Sequence, residues 1–100
     1  LLADALASGA AGGISGLANA FPELLLQIDV ASRRRKDTTT LNERLKAVME
    51  AVDAVPFIPA IKQICAWRGL PKMAVRPPLR DLTAPQADAL RRALQSLEVL

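Results

Sequence analysis

The chain has 100 residues, 51% of them hydrophobic, and a net charge of +3. That length bounds it to one domain, and that much apolar side chain excludes a disordered tail. There is no histidine and one cysteine, Cys65, so a disulfide framework is excluded, along with the commonest metal ligand and the commonest general base. No apolar run approaches the roughly 20 residues of a membrane span, so no membrane contact is expected. A lone thiol makes a reducing cytoplasm the expected compartment.

Ala and Leu dominate the apolar stock, and Phe21, Phe57 and Trp67 are the only aromatics, which favours helices over sheets. "LLADALAS" reads as the end of a helix stopped by Gly9. "AAGGISG" is too glycine-rich for a helix, and its only large side chain is Ile14, so residues 11–16 read as a short strand with close backbone neighbours. Pro22 and Glu23 suit the first turn of a helix, and Leu24, Leu25, Ile28 and Ala31 extend it over 22–35. It ends in Arg33–Lys36, four consecutive cations that complement the C-terminal dipole. No aromatics interleave with them, so they read as a solvated helix end and not as a nucleic-acid contact.

"DTTT" is a turn with Thr40 as cap candidate, and Leu41, Leu45, Val48 and Val52 form one helical stripe. Pro56 and Pro59 break and restart the pattern. "PAIKQICAWRG" is a further helix, with Ile58, Ile61 and Cys65 on one face and Gly69 at its end. Three prolines between Leu70 and Leu82 make that stretch an extended surface connector. Thr83 to Gln86, "TAPQ", has capping-box spacing. Ala87, Leu90, Leu94 and Leu97 then mark the last helix, with Asp88 and Arg92 spaced to pair. As an isolated chain it is expected to be mainly α.

The glycines invite a phosphate-binding reading, which the spacing rejects. A Walker-type loop needs Lys and a hydroxyl residue after its last glycine, but Gly16 is followed by Leu17, Ala18 and Asn19. Gly9, Gly12, Gly13 and Gly16 do not make the G-x-G-x-x-G fingerprint of a dinucleotide site either. What remains is a strand feeding directly into a helix. Such a βα unit belongs to a sheet of several strands, and the other strands are not in this chain.

"GAAGGISGLANAFPEL", "PFIPAIKQICAWRGL" and "VRPPLRDLTAPQADALRRAL" occur in that order. They resemble, respectively, the eighth strand with its following loop, a late helix with a Pro-x-x-Lys pattern, and the C-terminal connector and last helix of the dihydrodipicolinate synthase and N-acetylneuraminate lyase family. The likeness covers essentially the whole chain. It implies the last third of a (β/α)8 TIM barrel, a fold of about 250 residues. Residues 1–35 would be the end of the barrel (the tail of helix seven, strand eight and helix eight), and 36–100 a C-terminal helical region.

The resemblance also implies a Schiff-base lyase, aldolase or dehydratase acting on pyruvate or a related keto acid, without a cofactor or metal, and a homo-oligomer. The family's catalytic lysine, its relay tyrosine and its carboxylate-binding loop lie upstream of the matched region. No catalytic residue is therefore expected here, and the chain alone is expected to be inactive. Ile14 matches an apolar residue that lines the substrate cavity in relatives, flanked by Gly13, Ser15 and Gly16. On its own pattern Ile14 reads equally as a barrel-core side chain. Lys62 reads as structural, and Asn19 as a turn residue. Some relatives that take sugar acids carry serine at the position of Gly16, which argues against a sialic acid substrate. An autonomous helical interaction module stays open as a second reading.

Overall fold

Local chemistry at the helix ends sets most of this architecture. The computed structural model describes residues 2–100. Its helices are α1 (Leu2–Ala7), α2 (Pro22–Arg33), α3 (Thr39–Asp53), α4 (Phe57–Trp67) and α5 (Ala84–Ser96), with a 3₁₀ turn at Gly16–Asn19. The chain divides into two units, Leu1–Lys46 and Ala47–Leu100.

Proline opens α2 at its first turn, where a missing N–H costs nothing, and Glu23 sits at the positive end of its dipole. Asp29 and Arg33, one turn apart on this helix, form an ion pair with Nε–Oδ1 at 2.9 Å. The capping box of α5 is complete. Gln86 N–H donates to Thr83 Oγ1 at 3.3 Å, and Thr83 N–H donates to Gln86 Oε1 at 3.0 Å. This satisfies two backbone donors that would otherwise be orphaned. Asp88 and Arg92 do not pair; an exposed pair of this spacing is worth only about 0.2–0.5 kcal/mol, too little to hold two long side chains.

Four of the helices end in the same way, with a left-handed residue that lets two following amides reach back into the last turn. Gly9, at φ +98°, and Ala10 donate to Leu6 and Ala5 after α1, at 3.1 and 3.0 Å. Gly69, at φ +104°, and Leu70 donate to Ala66 and Cys65 after α4, at 3.1 and 3.0 Å. The other two ends use residues with a Cβ. Arg35 is at φ +54° after α2, and Glu98 at φ +58° after α5.

Two expectations at helix starts give way. Thr40 lies inside α3, and Asp37 makes the entry contact: its Oδ1 accepts from Thr39 N–H at 3.0 Å and from Thr39 Oγ1 at 2.6 Å. Helix α4 begins at Phe57, so Pro59 falls in a first turn that needs no donor from it. Its buried face is Ala60, Ile61, Ile64 and Cys65; Ile58 stands at the margin of that stripe and is half exposed.

In the first unit α1 and the 3₁₀ turn both pack against α2. Ala3, Leu17, Ala20, Phe21, Leu24 and Ile28 are its buried apolar residues. In the second unit α4 packs against α5, and Ile64, Leu90 and Leu94 are buried to 2% exposure or less. Across that pair the Arg91 guanidinium lies over the Trp67 ring, 5.5 Å from its centroid. The connector between α4 and α5 is extended and largely exposed, with one turn at Arg76–Leu79 around a cis Pro77–Pro78 bond.

The expected strand at 11–16 is corrected. Among the described residues no strand forms; Ala10–Ser15 has no regular secondary structure, and Gly16 already belongs to the 3₁₀ turn. A strand is defined by its ladder, and these residues contain no partner for one.

Arg35→Gly relieves the left-handed strain at that helix end and is expected to raise stability by about 0.5 kcal/mol after the extra freedom of the unfolded chain is subtracted. Arg68→Gly, at a residue with φ −90°, has no strain to relieve and is expected to lower stability in the same denaturant titration. Acid provides a second measurement. The hydrogen bonds from the Thr39 hydroxyl and amide hold the Asp37 carboxyl below its ordinary value of 3.8. Its stabilisation of the α3 start is therefore complete above the unfolded value of about 3.9 and is lost as pH falls through the lower native value. Wild type is expected to lose more stability than Asp37→Asn between neutral and strongly acid pH.

Candidate functional site

The glycine-rich segment carries the site residues expected from sequence, and backbone geometry decides where they stand. Ser15 is extended, at φ −140° and ψ 132°, and leads into the 3₁₀ turn without a side-chain cap bond. Asn19 Nδ2 donates to Gly16 O at 3.2 Å and closes that turn, the role its type suggests. Phe21 N–H donates to Leu17 O at 2.9 Å, and α2 follows at once.

Gly13, Ile14, Ser15 and Gly16 are thus neighbours on one exposed stretch. Ile14 is wholly exposed, at 106%. A Cβ on Gly13 would stand 3.2 Å from Leu2 Cδ1, so a side chain there requires Leu2 to give way. A Cβ on Gly12 would meet nothing within 4 Å, so crowding within the chain does not demand glycine at that position. None of the four residues is ionisable, so the stretch can offer shape and backbone polar groups but no acid or base.

Arg33 adds a contact that the sequence reading missed. Besides pairing with Asp29, it donates from Nη2 to Ala11 O at 2.9 Å. The Asp29 spacing was readable; a contact spanning 22 positions was not.

Two of the four lysines make structural contacts. Lys62 Nζ donates to Ala74 O at 2.8 Å, and Lys72 Nζ donates to Gln63 Oε1 at 2.9 Å. Together they fasten the proline-rich connector to α4 from both sides of the sequence gap. Lys36 and Lys46 are exposed. Among the described residues no group of three or more His, Cys, Asp or Glu could hold a metal ion. No helix among the described residues is long and apolar enough to cross a membrane.

Two grooves open on the first unit, and neither includes the glycine-rich stretch. One runs between Leu26, Val30 and Leu41; the other lies beside Ser32, Arg35 and Thr38, where Ser32 Oγ is buried without a hydrogen-bond partner.

Residues 1–97 match the model of the dihydrodipicolinate synthetase family. The chain belongs to that family. An uncharacterized DapA-like lyase of Chloroflexus aurantiacus is 38% identical over 98 residues, covering 97% of this chain and 33% of that protein. The chain therefore spans about a third of that relative's length. No solved structure matches it.

Lys62→Met removes the charged donor to Ala74 and is expected to cost at most about 1 kcal/mol, since an exposed hydrogen bond from a charged group is screened by water. It is also expected to speed limited tryptic cleavage after Lys72 more than Lys46→Met does. Equal cleavage rates would mean that Lys62 does not hold the connector down.

Proposed function

We propose that these 100 residues are the C-terminal third of a (β/α)8-barrel lyase that acts on pyruvate or a related keto acid through a lysine Schiff base. The observation that carries this reading is the family match over residues 1–97 in a chain one third as long as its lyase relative. The local geometry agrees with it. Ser15, extended at φ −140° and ψ 132°, leads through the 3₁₀ turn at Gly16–Asn19 into α2, a strand-to-helix order of the kind a barrel repeats. In this reading residues 11–16 would pair as strand eight once the rest of the barrel is present, α2 is helix eight, and residues 36–100 are the helical region beyond the barrel. The parent assembles as a homo-oligomer.

Ile14, Gly13, Ser15 and Gly16 then form one wall of the substrate cavity. They stand at the C-terminal end of the strand, where barrel active sites sit. An apolar side chain exposed to 106% in this chain gains its cover from the rest of the barrel.

The reacting amine lies outside these residues. Imine formation requires a neutral lysine that attacks the keto carbon and expels water, after which the imine withdraws electrons from the neighbouring carbon. An ordinary lysine, with a pKa near 10.4, is almost entirely charged at neutral pH, and burial is what lowers that value. Lys62 and Lys72 are committed to the connector, and Lys36 and Lys46 are open to water. With no tyrosine in the sequence, the proton relay must also come from elsewhere.

Borohydride reduction in the presence of pyruvate, read by intact mass, tests this reading. The full-length protein is expected to gain one stoichiometric adduct, mapped to a lysine outside these 100 residues, and this chain alone none. An adduct on Lys36, Lys46, Lys62 or Lys72 would overturn it. In the full-length protein, Ile14→Ser is expected to change KM or kcat by more than it changes stability. A loss confined to stability, of about 1–3 kcal/mol, would make Ile14 a core residue only.

A further inference from the structure

We propose that Arg33 is a positioning residue: it sets the register of the glycine-rich segment and thereby the side on which Ile14 stands. The proposal rests on the pocket role given to Ile14 above.

Successive residues of an extended chain face opposite sides, so a slip of one position would turn Ile14 to the wrong face. Register is normally fixed by side chains. Ala10, Ala11, Gly12 and Gly13 offer only methyl groups and hydrogens, so their own packing specifies it weakly. Backbone hydrogen bonds hold the segment at its two ends. Ala10 N–H reaches Ala5 O at 3.0 Å, and Ser15 O accepts from Ala18 N–H at 3.2 Å. Between those ends, the bond from Arg33 Nη2 to Ala11 O is the contact that ties the segment to α2.

Arg33 is suited to this because its guanidinium is itself anchored. Nε is held by Asp29 Oδ1 at 2.9 Å, which leaves Nη2 aimed at a fixed point. Asp29 and Arg33 both belong to α2, so the anchor is a helix. A lysine would carry the charge but lacks the rigid fork that engages two acceptors at once. Ala11 lies three residues before Ile14, roughly 10 Å along an extended chain, so Arg33 acts through the backbone and touches nothing that reacts.

The test uses the full-length protein with Arg33→Met, Arg33→Lys and Asp29→Asn. Each variant is read by hydrogen exchange of the peptide covering residues 9–16, by steady-state kinetics with pyruvate, and by thermal melting. Arg33→Met is expected to speed exchange in that peptide about threefold or more and to raise KM about three- to tenfold, with kcat within about twofold. Arg33→Lys is expected to resemble Arg33→Met, and Asp29→Asn to fall between them and wild type. Unchanged exchange in both Arg33→Met and Asp29→Asn would overturn the tether. A fall in melting temperature with KM unchanged, or full rescue by lysine, would overturn the positioning role. If the wild-type protein does not turn over keto acids, the lyase reading fails, and the exchange measurement still decides whether Arg33 holds the segment.

Discussion

The first unit depends on the burial of one ring. Phe21 is its largest fully buried side chain and one of only three aromatics in the chain. It occupies the N-cap position of α2, so burying it also decides where that helix begins, and Pro22 fixes the backbone angle that follows. Its amide, bonded to Leu17 O, joins the 3₁₀ turn to the helix. A buried phenyl contributes about 1.5–3 kcal/mol, a large fraction of the margin of so small a unit.

The features legible in the sequence are those whose physics is local. Gly9 and Gly69 stop helices because only a residue without a Cβ enters the left-handed region freely, and Thr83–Gln86 caps a helix because both partners lie within four positions. Pro22 and the stripe of Leu24 and Ile28 are of the same kind. Arg35 and Glu98 end helices with the same geometry but were invisible, since nothing in an arginine or a glutamate announces a positive φ. Thr40 was a reasonable cap by type; Asp37 took the role because a carboxylate accepts two bonds at once. The strand was misread for a different reason: extended backbone can be read from composition, but a ladder requires a second segment.

The candidate site shows the same division. Its residues are adjacent in sequence and so were easy to group, yet a pocket is made of walls that face each other. In the proposed reading Gly13, Ile14, Ser15 and Gly16 would be one wall of such a pocket, and the grooves of the first unit lie elsewhere. Long-range tethers were equally hidden. Lys62 reads as structural by type, but its partner, a carbonyl of the proline-rich connector 12 positions on, was not legible. A connector with three prolines has few amides to donate, so side chains from α4 and its own lysine secure it instead.

The stacking of Arg91 on Trp67 has an optical consequence. The chain has one tryptophan and no tyrosine, so its indole emission comes from a single place, the seam between α4 and α5. A cation above the ring shifts and quenches that emission, and separation of the two helices releases it. The fluorescence of this chain is thus a gauge of one helix–helix contact in the second unit, blind to the glycine-rich segment, while circular dichroism sums over every helix. Disagreement between the two signals during unfolding would be the spectroscopic signature of two units that melt separately.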